Sequence, residues 1–162
     1  MSVATVYAAM ATIEAAVQIP GTDPAQYTKA YSNPPDTISG NTPCWVNFAA
    51  DSQVSLLTGG VDDKYQVVDE TRNYRCILFV APRGTGAPGE NYGLLTPYFD
   101  LGKAAFVAHP AANLTSGTIW LKFQGDEGGK TIPYGNDASP YYAIPFKVQV
   151  QYKTKTLWAT GE

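Results

Sequence analysis

Two segments of the chain alternate between apolar and polar residues, and each is predicted to form a long β-strand. The first, 70–82, opens with charged and polar residues and becomes apolar on both faces at 77–80. The second, 144–152, alternates throughout. The apolar positions that share one face are Tyr74, Cys76, Leu78 and Val80 in the first segment and Ile144, Phe146, Val148, Val150 and Tyr152 in the second. We predict a central strand at 70–82 paired with 144–152, in a sheet whose other face meets solvent or a partner subunit.

Two further segments place apolar residues at helical spacing and are predicted to cover the apolar face of the sheet. The first helix is capped by Ser2 and stops at Pro20, whereas the second has Pro97 in its first turn, or begins one turn earlier, and ends at His109. The apolar positions are Val3, Val6, Tyr7, Met10, Ile13 and Val17 in the first and Leu94, Leu95, Tyr98, Leu101, Ala105 and Phe106 in the second.

Shorter strands and turn-rich connections complete the predicted order. These strands are expected at 27–31, 43–48 and 118–123. The order α-β-β-β-α-β-β predicts a single α+β domain over 1–162, with one mixed or antiparallel sheet and both helices on one face. Polar, glycine-containing connections at 51–68 and 124–140 are expected to be extended loops. At 51–68 two alternatives remain, because the flanking strands either project together as an arm or the segment is a mobile loop that orders on a partner.

The composition argues against nucleic acid and membrane surfaces as partners of this chain. The net charge of -3 and the isoelectric point near 5.1 provide no basic surface for nucleic acid or anionic lipid. No apolar run reaches the length of a membrane span, and the N-terminus lacks the pattern of a signal peptide, so folding in the compartment of synthesis is expected. Only 15% of residues are charged and 11 are tyrosines, which fits either extensive protein contacts or aromatic packing across strands.

A glycine-rich stretch matches the dinucleotide pattern G-x-G-x-x-G through Gly84, Gly86 and Gly89. The predicted helix starts several residues after the third glycine, whereas a phosphate needs the helix N-terminus. His109 and Pro110 stand where an acidic residue is expected, and the βαβ alternation of that fold is absent. The stretch is therefore interpreted as a glycine-rich loop, and a small nucleotide-binding enzyme is the less favoured function.

No catalytic, metal or cofactor site is predicted, so the chain is not expected to be an enzyme. Cys44 and Cys76 are expected to be buried free thiols, with a disulfide between neighbouring strands as the alternative. His109 is expected to bond a free carbonyl at a helix C-terminus. Acidic pairs at 62–63, 69–70 and 126–127 lack the ligand spacing of a Ca²⁺ loop. A modest basic stripe of Lys147, Lys153 and Lys155 is expected on the polar face of the last strand.

Several local patterns together carry a resemblance to a known family. They are the alanine-rich N-terminal helix ending in Ile19-Pro20-Gly21, the stretch 31–38 with Asn33-Pro34-Pro35-Asp36, the strand opened by Pro43, the segment Glu70-Thr71-Arg72-Asn73-Tyr74-Arg75, Gly89-Glu90-Asn91 before the second helix, Tyr134-Gly135, and the alternating strand from Tyr142 to Tyr152. This order of elements resembles the tail terminator and tail-completion proteins of long-tailed bacteriophages, small α+β proteins of the head-tail joint.

The resemblance implies a structural virion protein. Such a protein forms a ring, expected to be a hexamer, that caps the tail tube and joins the tail to the head connector, after assembly in the host cytoplasm. It implies contacts with other copies of itself, with the tail tube protein and with a connector or stopper protein. The pair of long alternating strands and the segment 51–68 are the candidates for subunit and tube contacts, and 83–91 and 124–140 are the candidates for contacts with axial partners. Another neck ring component, an adaptor, stopper or head-completion protein, is the alternative.

Overall fold

The computed structural model describes residues 2–58, 65–84, 88–114 and 117–157. In chain order its elements are α1 (Val3–Glu14), β1 (Lys29–Ala30), β2 (Cys44–Thr58), β3 (Tyr65–Pro82), α2 (Pro88–Val107), β4 (Ala111–Leu114), β5 (Gly117–Asp126), β6 (Lys130–Ile132) and β7 (Tyr141–Leu157). The predicted α+β class and the order of its main elements are confirmed. The short strands β4 and β6 were not predicted, because neither is long enough to show an alternating pattern.

All the strands belong to one sheet in which β3 is central. The order across the sheet is β1-β2-β3-β7-β5-β4, and β6 pairs with the start of β7. The pair β1–β2 is parallel and the other pairs are antiparallel, so the sheet is mixed. The predicted partnership of the two long alternating strands is confirmed, with Leu78 opposite Ile144 and Cys76 opposite Phe146.

Both helices pack on the same face of the sheet, as predicted. The Ser2 side chain caps α1 by accepting a hydrogen bond from the Thr5 N–H at 3.3 Å. One buried cluster joins the helices to the strands; it includes Val6, Met10 and Ile13 of α1, Leu95, Tyr98 and Phe106 of α2, and Trp45, Tyr74, Cys76, Leu78, Ile144, Phe146, Val148, Val150 and Tyr152 of the sheet. We call this side of the sheet the helix face.

The opposite face is buried at one end of the sheet, where only solvent or a partner was expected. A second cluster there contains Ile38, Cys44, Val46, Ile77, Phe79, Tyr134, Tyr141 and Ala143. Asp137 holds the covering segments in place, because its carboxylate accepts hydrogen bonds from the Thr37 hydroxyl, the Ile38 N–H at 3.1 Å and the Tyr141 hydroxyl at 2.7 Å. The two turn-rich segments around Ile38 and Tyr134 therefore form a second, smaller core.

Helix α2 begins well before the position predicted from Pro97. It starts at Pro88, and Pro97 lies inside it. A proline within a helix leaves the carbonyl four residues earlier without its usual donor, here the carbonyl of Gly93. Gly93 is exposed, so water can bond that carbonyl and the helix passes through Pro97.

Of the two alternatives for 51–68, a projecting arm or a mobile loop, the described residues 51–58 and 65–68 show the arm, and 59–64 lie outside the described residues. β2 and β3 stay paired from Cys44 opposite Phe79 to Thr58 opposite Val67, and β7 accompanies β3 as far as Leu157 opposite Tyr65. The last residues of these strands that join the helix-face core are Ala49, Tyr74 and Tyr152. We call the strand residues beyond them, 51–58, 65–73 and 153–157, the arm.

The connection 124–140 is likewise not one extended loop. Its first residues complete β5, and 130–132 form β6 against β7. Its later residues carry Tyr134 and Asp137, which belong to the second core and its hydrogen bonds.

Candidate assembly interface

The arm has two strand edges without a neighbouring strand in the described part of the chain. On one side β1 pairs with β2 only at Cys44 and Trp45. On the other side the pairing of β5 with β7 ends where Ile119 lies opposite Tyr152. β5 itself begins two residues earlier, at Gly117, which is level with Thr154. β2 beyond residue 50 and β7 beyond residue 154 therefore form opposite edges of the same three-stranded arm.

Neighbouring hydrogen bonds fix which backbone groups point out from the β2 edge. Near the base of β2, the Trp45 carbonyl accepts from Tyr31 N–H at 3.3 Å and the Ala49 N–H donates to the Tyr7 hydroxyl at 2.9 Å, so odd-numbered residues face outward there. A β-bulge follows, because Ala49 lies opposite Tyr74 but Ser52 opposite Arg72. The extra residue shifts the alternation, and beyond the bulge the backbone groups of Ser52 and Val54 face outward.

The same alternation applies to β7. Residues 149 and 151 lie opposite Lys122 and Trp120 of β5, and they present their backbone groups to that strand. Lys153 continues this series beside Thr118 of β5, whereas Lys155 and Leu157 lie beyond Gly117, the first residue of β5, so the backbone N–H and C=O groups of Lys155 and Leu157 point out from the β7 edge.

Polar side chains cross-link the strands of the arm. Arg72 donates to Glu70 Oε1 at 2.9 Å and to the Ala50 carbonyl at 3.2 Å. On the other face, Asn73 donates to Asp51 Oδ2 at 3.1 Å, and Gln151 donates to Asp69 Oδ2 at 2.8 Å. These bonds hold the three strands in one register, so the arm is an ordered extension of the sheet.

A polar cleft of about 240 Å³ lies at the base of the arm, on the face opposite the helices. Arg75 binds Glu127 through two hydrogen bonds, of 3.1 and 2.9 Å, and Lys130 donates to Glu127 Oε2 at 2.7 Å. The bond from Lys130, followed by that from Arg75, lowers the pKa of Glu127. The carboxylate of Glu127 is therefore paired with two cations, which indicates a structural role for these charges.

The predicted chemical residues are not brought together. Glu70 and Glu127 of the acidic pairs are ion-paired, Asp126 accepts from the Gly128 N–H, and the pair 62–63 lies outside the described residues. In the described part of the chain, no three His, Cys, Asp or Glu side chains are placed to hold a metal ion. Lys147 and Lys153 lie exposed on the polar face as expected, and the side chain of Lys155 lies outside the described residues.

Cysteine and histidine take the expected structural roles. Cys44 and Cys76 are buried free thiols on opposite faces of the sheet. Burial raises the pKa of Cys44 to about 12 and that of Cys76 well above its ordinary value, so neither is a ready nucleophile. The His109 Nδ1 bonds the Ala105 carbonyl at 2.8 Å at the end of α2, as predicted.

The glycine-rich stretch leads directly into α2, contrary to the prediction. Residues 85–87 lie outside the described residues, and Gly89 falls in the first turn of the helix. One argument against a nucleotide site, the late helix start, is therefore wrong. The topological argument holds in the described sheet, because β3 and β5 on either side of α2 are separated by antiparallel β7.

A buried polar pair beneath α1 was missed from the sequence. Glu14 is fully buried and accepts a hydrogen bond from Asn47 Nδ2 at 2.9 Å, while Glu14 Oε1 and Asn47 Oδ1 have no partner in the described structure. Burial raises the pKa of Glu14 to about 8. The available signal was the position of Glu14 in the apolar stripe, four residues after Met10 and three before Val17.

No protein-family model matches this chain, and no curated protein matches it significantly. Among the described helices, none is long and apolar enough to cross a membrane. The function proposed below therefore rests on the resemblance in the sequence and on the geometry of the arm.

Proposed function

We propose that this protein is a tail terminator of a long-tailed bacteriophage. It forms a ring, expected to be a hexamer, that caps the tail tube and joins the tail to the head connector. The resemblance in element order and local motifs suggests this role. The observation that supports it most strongly is the arm, whose two edges have no neighbouring strand in the described part of the chain. Its place is the virion neck, after assembly in the host cytoplasm.

Ring formation needs two different surfaces on opposite sides of one subunit. In a ring each subunit contacts the next in head-to-tail fashion, so one flank must fit the other flank of an identical copy. The β2 and β7 edges of the arm lie on opposite sides of β3 and differ in sequence. The arm therefore has the two-sided character that a ring subunit requires.

The described chemistry supports a structural protein over an enzyme. The buried thiols are held in their neutral form, the one histidine bonds a helix carbonyl, and the charges at the polar cleft are paired. A catalytic site brings reactive groups together with perturbed pKa values in a cleft. The strongly perturbed carboxyl, Glu14, is fully buried beneath α1 and beyond the reach of a substrate.

The mass of the purified protein across a concentration series tests this proposal, with negative-stain imaging of any large species. We expect a closed ring, either alone or on isolated tail tubes. A protein that stays monomeric at all concentrations and does not bind tail tubes contradicts the proposal. A thermal-shift screen with nucleotides tests the enzyme alternative, for which stabilisation of the monomer is the supporting result.

The same arm would serve another neck ring component, so the partner has to be tested separately. A tail terminator binds the end of the tail tube, whereas a head-completion or stopper protein binds the head connector first. Incubation of the ring with isolated tubes and with isolated tail-free heads distinguishes the two. Binding to heads but not to tubes assigns the protein to the head side of the joint.

A further inference from the structure

We infer that neighbouring copies of this chain pair strand to strand, with the β2 edge of one arm (52–56) joined to the β7 edge of the next (155–157). The inference rests on the proposed ring and names the contact that closes it. The structure supplies its two halves on one molecule, as opposite edges of the same arm. The result is a sheet that continues from subunit to subunit.

Between its two register shifts, at 49/52 and 56/58, the β2 edge has a stretch of five residues with little protection against strand addition. Native edges are commonly blocked by proline, lysine, a bulge or short length. Beyond its bulge, the segment 52–56 reads Ser-Gln-Val-Ser-Leu, with neither proline nor charge. Val54 is 63% exposed at the point where its backbone groups face outward. An edge of this kind is suited to the addition of a strand.

Charge favours the β7 edge as the partner. β2 contains one acidic residue, Asp51, and no basic one, whereas β7 contains Lys147, Lys153 and Lys155 and no acidic one. Pairing of two β7 edges would place lysines near one another, which is unfavourable. Pairing of a β7 edge with the uncharged segment 52–56 of a β2 edge avoids that repulsion.

Strand direction fits a head-to-tail arrangement. β2 and β7 both run antiparallel to β3, so they run parallel to each other. Rotation about a ring axis keeps all arms pointing the same way, and β7 of one copy then meets β2 of the next in parallel. A two-fold dimer would instead pair two β2 edges in antiparallel fashion.

Val54→Pro tests the inference, with Val54→Ala as the matched control. Proline removes the outward N–H and blocks strand addition, but it leaves the pairing with β3 because that N–H does not face β3. Alanine shortens the side chain and keeps the N–H. We expect Val54→Pro to weaken self-association at least about tenfold in analytical ultracentrifugation, and Val54→Ala to weaken it much less. Equal association of Val54→Pro and the wild type overturns the inference.

Cross-linking gives a second measurement that does not depend on a proline variant folding. Ser55 and Lys153 lie opposite the same residue, Asp69, and are both exposed, whereas the native cysteines are buried. A mixture of Ser55→Cys and Lys153→Cys proteins is treated with a short bis-maleimide. We expect a cross-link between the two variants and none in either variant alone.

The outcomes separate this inference from the proposed function. Cross-linking of Ser55→Cys with itself indicates a two-fold contact and overturns the inference. A ring that forms without either cross-link overturns the inference and leaves the ring standing. A wild-type protein that never associates, with or without tail tubes, overturns both.

Discussion

At the scale of the residue, the carboxyl group of Glu14 lies fully buried between α1 and β2. An ionised carboxylate only accepts hydrogen bonds, so it would leave Glu14 Oε1 and Asn47 Oδ1 unpaired. A protonated carboxyl can donate from Oε1 to Asn47 Oδ1 while Oε2 accepts from Asn47 Nδ2. The neutral form thus satisfies both side chains, in agreement with a pKa raised to about 8.

This protonation couples stability to pH. Glu14 has a pKa of about 8 in the folded protein and of 4.5 as its ordinary value, so between these values the unfolded chain binds fewer protons. The free energy of unfolding therefore falls as pH rises from 4.5 to 8, by up to about 1.4 kcal/mol per pH unit. The contribution of Glu14 to stability is fully present below pH 4.5 and is lost as the pH rises above about 8, the pKa of Glu14 in the folded protein. Cys76 is the titratable neighbour, and it stays neutral in this range because burial raises its pKa further.

Glu14→Gln isolates this effect, because glutamine can form the same pair of hydrogen bonds with Asn47 and does not titrate. We expect urea unfolding of Glu14→Gln to lose most of the decline seen in the wild type between pH 4.5 and 8, and the variant to be the more stable protein at pH 8. Glu127→Gln, at a half-buried ion pair that lowers the pKa of the carboxyl, is the control and should keep the decline. Parallel pH profiles for the wild type and Glu14→Gln would contradict the assignment.

At the scale of the element, α2 lies against β7 closely enough to require glycine at one position. A Cβ added to Gly102 would lie 2.4 Å from Phe146 Cζ, and Phe146 is fully buried. A Cβ added to Gly93, in the same helix, would meet nothing within 4 Å. The distance between helix and sheet is therefore set at Gly102.

Two alanine substitutions in α2 test this contact. Gly102→Ala should lower the free energy of unfolding by about 1–3 kcal/mol, because the buried Phe146 ring has to move. Gly93→Ala, the matched control, should leave stability unchanged or raise it by up to about 1 kcal/mol, because alanine favours a helix. Urea unfolding measures both. A Gly102→Ala protein as stable as Gly93→Ala would show that α2 does not pack so closely.

At the scale of the whole molecule, the arm extends the sheet beyond both helices. Its longest strand, residues 65–73 of β3, adds about 30 Å at about 3.4 Å per residue. Ordering the strands of the arm costs conformational entropy, and no described helix packs on the arm to offset that cost by burying apolar side chains. Contacts with neighbouring copies offset that cost in the proposed ring.

Hydrogen exchange should report the assembly at this scale. In the monomer, amide groups that face outward from 52–56 and 155–157 have no strand partner in the described structure, and we expect them to exchange rapidly. In the assembled protein, exchange in peptides covering both segments should slow, while peptides from α1 remain unchanged. Slowing confined to the segment around Tyr134 would place the contact on the second core instead.

The apolar pattern by itself determined the α+β class, the central position of β3, its pairing with β7 and the placement of two helices on one face. Alternation and helical spacing report burial directly, so these features could be predicted. Cys44, Cys76 and His109 were also interpreted correctly, since isolated thiols and a histidine at a helix end have few other roles.

Only the tertiary structure decided the rest. For 51–68 the sequence left an arm and a mobile loop as alternatives, because the described strands at 51–58 and 65–68 are held by backbone pairing and polar side chains and not by packing against a helix. The start of α2 depends on whether water reaches the carbonyl of Gly93. The burial of Glu14 depends on its hydrogen-bond partner Asn47 from β2. Each of these depends on groups distant in sequence that meet only when the chain is folded.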